Sequence, residues 1–176
     1  MRYFVGADVV RATGVNQKVL TQWIDRHLVL PSVKAQGRGA KHEFTLVDII
    51  RIGLLDKLAG MGIPRETAGA IAFCPMGTNI GRDLFARIEG VVTSYKAEIE
   101  ARRGGTTSIL GSAVFAWQVY LACTPRSDVP GYVAIGHHIG ARQDFAALYE
   151  TLENEDGAVL VNLTKVVKRV MDVLGG

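Results

Sequence analysis

A chain of 176 residues that is 48% hydrophobic can bury a sizeable core, as one domain or two small ones, which excludes a disordered tail. A formal charge of +3 is too mild to name an anionic partner, so the placement of charge matters more than its sum. Residues 1 to 73 carry ten Lys/Arg against six Asp/Glu and residues 74 to 176 carry ten against eleven, so the basic excess sits in the first part.

From Gly6, "GADVVRATG" places Ala7, Val10 and either Thr13 or Val9 on one side of a short helix. Gly14 can end it because glycine tolerates the left-handed conformation. A second helix is predicted from Asn16, a good N-cap. Val19, Leu20, Trp23, Ile24, His27 and Leu28 share its apolar face, and Gln17, Lys18, Thr21, Gln22 and Asp25 its polar face. Two helices joined by so short a glycine turn are the signature of a helix-turn-helix, whose second helix enters the major groove by its N-terminal residues.

Pro31 is expected to stop that helix. Between it and Phe44 lie Lys34, Arg38, Lys41 and His42, interleaved with Gly37 and Gly39, and no acid precedes Glu43. This stretch is poorly equipped to build core. It fits a β-hairpin with arms "SVKA" and "HEFT", whose glycines let the turn approach a phosphate backbone while its cations neutralise it. Thr45 then caps "LVDIIRIGLLDKLAGMG", with Asp48 as an imperfect capping box. Leu46, Ile49, Ile50, Ile52, Leu54, Leu55 and Leu58 make this the most buried helix of its part; Gly60 and Gly62 end it, and Pro64 opens "RETAGAIAF".

This order of parts resembles the winged-helix DNA-binding domain of MerR-type regulators and the related excisionase-like modules, over residues 2 to 73. The resemblance rests on the Gly14-Val15 turn, the Leu20 to Trp23 step, the Leu28 to Pro31 helix end, Phe44 before Thr45, and the Gly62-Ile63-Pro64 step. It implies DNA binding and a dimerising helix after the DNA-binding domain. Typical members carry arginine at the position of Thr21, glutamate at that of Ile24, and a Tyr-Arg-Arg-Tyr-like wing in place of Lys41-His42-Glu43-Phe44. Phosphate clamping is therefore expected to fall on Lys18, Arg38 and Lys41.

Beyond residue 73 no family resemblance is read. "GRDLFARIEGVVTSYKAEIEARRGG" offers Leu84, Ile88, Val91, Tyr95 and Ile99 at alternating steps of four and three, a heptad-like seam suited to dimerisation or to packing on the following domain. "SAVFAWQVYLAC" and "GYVAIGHHI" read as strands joined through "TPRSDVP", "ARQDFAALYETLENED" as a helix, and "GAVLVNL" as a buried strand. "TKVVKRVMDVL" reads as a closing helix capped by Asn162 or Thr164. The expected fold is a mainly α winged helix-turn-helix domain at 1–74 and a small α/β (α+β) domain at 81–176, with a linker across "CPMGTNIG".

Other candidate sites are weaker. Adjacent strand residues point to opposite faces, so His137 and His138 do not suit one metal ion, and structural or surface roles are preferred. Cys74 and Cys123 have no metal or disulfide spacing and are read as small buried residues. "GTNIG" lacks the Gly-Lys-Ser/Thr end of a phosphate loop, and Ser94, Ser108, Ser112 and Ser127 lack a nucleophile-elbow context, so no enzyme and no cofactor is expected. Trp23 is assigned to core packing; Trp117, Tyr120 and Tyr132 are open among a small-molecule pocket, a core and a dimer interface.

The sequence thus predicts a DNA-binding transcription regulator in the cytoplasm, without secretory signal or membrane span, dimeric on an inverted repeat of duplex DNA. Asn16, Gln17, Lys18, Thr21 and Gln22 belong to the reading helix and Lys34, Arg38, Lys41 and His42 to the wing. The C-terminal domain dimerises and is a candidate receiver of a small-molecule or protein effector. The alternatives are an excisionase-like architectural or recombination factor and a protein-interaction adaptor that leaves DNA alone.

Overall fold

The computed structural model describes residues 2–37, 40–103, 118–125, 132–139 and 159–175. These residues are mainly helical. In chain order they form β1 (Phe4–Val5), α1 (Gly6–Thr13), α2 (Gln17–Asp25), β2 (Glu43–Phe44), α3 (Leu46–Gly60), α4 (Arg65–Ala72) and α5 (Asn79–Arg103). There follow β3 (Gln118–Pro125), β4 (Tyr132–Ile139), β5 (Val159–Asn162) and α6 (Leu163–Leu174). Arg38, Trp117 and the helix expected across 141–156 lie outside the described residues.

The local signals explain most boundaries. Asn16 caps α2, its side-chain oxygen accepting from Lys18 N at 2.9 Å. Thr13 closes the turn before it, donating its hydroxyl to Val9 O and accepting from Val15 N. Gly14 takes φ of +80° there. The inward face of α1 is Val9, Ala12 and Thr13, while Ala7 is exposed and Val10 half-buried, which corrects the expected Ala7/Val10 face.

The helix α2 ends at Asp25, five residues before Pro31 would require an end, and the stop is His27 at φ of +58°. His27 N bonds to Ile24 O and Leu28 N to Trp23 O, the paired bonds of a Schellman motif. The same motif ends α3, where Gly62 N bonds to Ala59 O and Ile63 N to Leu58 O. There a glycine at φ of +94° occupies the left-handed position. His27 holds that conformation with a Cβ. The apolar period running on through Leu28 hid this stop, because Leu28 still packs on the core after the chain has turned.

The capping box of α3 is complete. Thr45 Oγ1 accepts from Asp48 N, and Asp48 Oδ2 accepts from Thr45 N at 2.8 Å. The same carboxylate accepts from Ser32 Oγ at 2.6 Å, which ties the residue before the wing to the start of the most buried helix. Two short pairings hold the wing stem. β1 pairs antiparallel with β2, Phe4 opposite Phe44 and Val5 opposite Glu43, and Val33 bridges Glu43 on the other side.

Strands β4-β3-β5 form an antiparallel sheet in that order, with Gln118 opposite Ile139 and Pro125 opposite Tyr132, while Cys123 faces Val159 across β3 and β5. His137 and His138 lie opposite Tyr120 and Val119 in the β3/β4 register. The expected closing helix exists as α6, capped by Asn162, whose side chain accepts from Lys165 N at 3.0 Å.

The helix α6 does not close onto the sheet alone. Leu163, Val166, Val167, Val170, Met171 and Leu174 recur at alternating steps of three and one and are buried, and α6 packs against α1, α3 and α5 as well as β3. Gly53 makes room for the α3 approach: a Cβ there would stand 3.2 Å from Val166 Cγ1 and 3.7 Å from Thr13 Cγ2. One apolar cluster therefore runs from Phe4 through α3 to Leu174. It includes Leu84, Ile88 and Tyr95 of the predicted seam, at 2%, 0% and 7% exposure, with Val91 and Ile99 packed against it. The Tyr95 hydroxyl bonds to Asp172 of α6, and Lys168 lies over its ring. In this conformation Leu84, Ile88 and Tyr95 are buried within the chain, the packing alternative for the seam, while Val91 and Ile99 are half-buried.

The stretch "CPMGTNIG" contains a hydrogen-bonded turn, Thr78 N bonding Pro75 O at 3.0 Å. Arg51, from the middle of α3, donates Nε to Ala72 O at 2.6 Å and one terminal nitrogen to Cys74 O at 2.7 Å, and it stacks over Phe73. Its guanidinium thus takes the carbonyl ends of α4. Burial pulls the Arg51 pKa down, opposed by the nearby charges of Asp48 and Cys74. Gly81 approaches the turn so closely that a Cβ would fall 2.1 Å from Pro75 O, and Thr78 Oγ1 bonds Gly81 N. The glycine at the end of "GTNIG" serves close packing.

Candidate nucleic-acid interface

The polar face of α2 is presented to solvent because its opposite face is anchored in the core by Leu20 and Trp23, at 1% and 4% exposure. Asn16, Gln17, Lys18, Thr21 and Gln22 are all exposed. Their hydrogen-bonding capacity differs. Asn16 spends its carbonyl oxygen on the cap, leaving its amide N–H groups. Thr21 donates its hydroxyl to Gln17 O, four residues back, leaving lone pairs that accept. Gln17, Lys18 and Gln22 form no side-chain bond within the described residues.

The wing stands beside this face. Lys34 and Lys41 are exposed, and His42 is half-buried with Nδ1 accepting from Ala35 N at 3.1 Å across the hairpin. That bond fixes the tautomer: Nε2 carries the ring proton and is the nitrogen able to donate outward. Gly37, at φ of +85°, starts the tip, and Ala40 N returns to Gly37 O at 3.4 Å. Arg38, at the tip, is outside the described residues.

A half-open groove of about 410 Å³ runs between α2 and the wing. Gln17, Thr21 and Asp25 line it from the helix, and Ala35, Ala40, Lys41 and His42 from the wing, above a floor of Gly6, Leu20 and Phe44. A groove with amide and hydroxyl groups on one wall and the Lys41 ammonium and His42 ring N–H on the other can take base edges on the first and backbone oxygens on the second. The residues brought together are thus Gln17, Thr21, Lys41 and His42; Lys18, Gln22 and Lys34 flank the groove without lining it.

One contributor was not assigned a role from sequence. Asp25 lines the groove as its acid. A carboxylate there opposes phosphate and can accept from the amino group of cytosine. It was legible on the polar face of α2 but was not singled out. Outside the groove and before β1, Arg2 lies over the ring of Phe4 at 5.1 Å.

Among the described residues no group of three or more His, Cys, Asp or Glu side chains could hold a metal ion. No described helix is long and apolar enough to cross a membrane. Cys74 is a free, half-buried thiol whose Sγ lies 3.1 Å from Thr78 Oγ1. No protein-family model matches the chain, and no curated protein matches it.

Proposed function

We propose that this protein is a sequence-specific DNA-binding transcription regulator of MerR-like type, with a winged helix-turn-helix unit in its first part and an α/β unit in its second. The observation that carries the reading is the groove in which the exposed face of α2 confronts the cations of the wing. In the proposed mode α2 enters the major groove. Gln17, Thr21 and Gln22 meet base edges, Lys18 meets guanine or phosphate, and Lys34, Lys41 and His42 lie along the backbone. Asp25 then favours cytosine at its step.

One reading helix offers few base contacts, so useful specificity calls for two copies on paired half-sites. Because Leu84, Ile88 and Tyr95 are buried within the chain, the second copy engages another surface.

The test is selection from a random duplex pool by the full chain, followed by affinity across a salt series. The expected outcome is an enriched inverted repeat and a steep salt slope that falls by about one for each phosphate-bound lysine removed in Lys34→Ala and Lys41→Ala. A Gln22→Ala variant should instead relax preference at one base position. Absence of enrichment together with salt-independent binding would refute the proposal.

A further inference from the structure

A second pocket opens on a different part of the molecule, between α1, α3 and α6, and shares no residue with the α2/wing groove. Its volume is about 260 Å³, close to the lower end of the roughly 300–1,000 Å³ usual for small-molecule sites. Its floor is buried and apolar: Ala12, Gly53, Val161, Val166 and Val170. Its rim is cationic. Lys57, from the last turn of α3, and Lys165 and Arg169, one turn apart on α6, line the opening and are exposed, and Met61 beside them is 49% exposed.

Each feature has a structural origin. Gly53 lets α6 and α1 approach α3 closely, so that the pocket floor is formed by their side chains. Arg169 is held over the end of α1: one of its terminal nitrogens lies 2.6 Å from where a Cβ of Gly14 would stand. No salt bridge joins Lys57, Lys165 or Arg169 to an acid among the described residues. Thr13 and Asn162 complete the wall, the Thr13 hydroxyl engaged in the turn after α1 and the Asn162 side-chain oxygen in the cap of α6. Three cations converging over an apolar floor match a small organic anion with an apolar body: the body replaces water on the valines, and the anionic head takes charge-assisted hydrogen bonds at the rim.

We propose that this pocket binds a small organic carboxylate carrying an aromatic or branched aliphatic body, its carboxylate held by Lys165 and Arg169 with Lys57 near, and its body on Gly53, Val166 and Val170. The occupant bridges α6 to α1, the helix that leads through the Gly14 turn into α2, so binding stabilises the docked position of α6.

The test uses the full-length protein with benzoate, phenylacetate, 4-methylvalerate and indole-3-acetate, each beside its neutral primary amide, and with inorganic phosphate as a bare anion. Calorimetry and amide chemical shifts are the readouts. At least one carboxylate should bind with shifts at Thr13, Gly53, Asn162 and Val166, and its amide should bind about tenfold or more weakly, as loss of charge-assisted bonds implies. Lys165→Ala/Arg169→Ala, at two exposed positions, should weaken the carboxylate to a similar degree while leaving the thermal midpoint near wild type. Gly53→Val should block the body, and Lys57→Ala serves where the glycine variant does not fold. Four results would overturn the proposal: no binding by any carboxylate, amides binding as well as acids, phosphate binding as well as the best carboxylate, or shifts confined to the α2/wing groove.

Discussion

Asp48→Ala should cost this protein about 3 kcal/mol of stability, and the sum can be built from three parts. The Thr45 N–H, in a buried residue, loses its acceptor, which costs about 1–3 kcal/mol for an orphaned donor. The acid in the first turn of α3 is lost, worth about 0.3–1 kcal/mol against the helix dipole. Ser32 loses a short bond to a charged acceptor, but it is exposed and finds water, so its share is about 1 kcal/mol or less. Asp48→Asn keeps one oxygen and should lose about half as much. Urea denaturation of the full chain measures these values, and a double-mutant cycle with Ser32→Ala isolates the tie to the wing, expected at about 0.5–1 kcal/mol. A loss for Asp48→Ala below about 0.5 kcal/mol, the range of ordinary surface changes, would refute the reasoning. So would strict additivity with Ser32→Ala, since the carboxylate would then not be shared between helix and wing.

His27→Gly should stabilise the fold by about 0.5–1 kcal/mol, because relief of the left-handed Cβ penalty outweighs the added freedom of the unfolded glycine; thermal denaturation reads the sign, and Gly62→Ala should do the reverse. Arg51→Met should cost about 3 kcal/mol, since two carbonyls at 2.6 and 2.7 Å lose a charged donor and Phe73 loses its stacked cation. Arg51→Lys should recover only part of this, as one ammonium replaces a fork, and matched urea melts decide it. Gly81→Ala should cost about 1–3 kcal/mol by pressing a methyl onto Pro75 O, whereas Gly77→Ala, with nothing near its Cβ, should be close to neutral in the same assay.

The parts legible in the sequence are those fixed by residues a few positions apart. Asn16 as a cap, Gly14 and Gly62 in left-handed turns, Thr45 before α3, and wing arms facing each other at Val33 and Glu43 all follow from local chemistry. The polar stripe of α2 was legible for the same reason, since Leu20 and Trp23 fix which face turns inward. What escaped is what needs a partner. Periodicity showed that Leu84, Ile88 and Tyr95 lie on one face, yet it carries no information on whether that face meets a second chain or α6. His27 was misread as a position inside a helix because the Leu28 contact preserves the apolar spacing across the stop. Asp48 looked like half a capping box, and its bond to Ser32, sixteen residues away, could not be read from spacing. The cationic pocket escaped for the same reason, being assembled from α1, α3 and α6.

The docking of α6 on α1 and α3 also sets an order of events during synthesis. Val166, Val167 and Val170 cover the inner helices of the first part, but they follow Gly53 by more than a hundred residues. A nascent chain that has emerged only through α4 has the flank of α1 and α3 that α6 covers still open to water. That flank stays a hazard for wrong association until residues 163–174 leave the ribosome, at a rate of about 5–20 residues per second. Closing so long a loop also slows the last step of folding. A protein built this way completes the core of its first part only when its distant helix arrives, so a ribosome stalled before α6 leaves behind a chain whose α1 and α3 lack the helix that covers them.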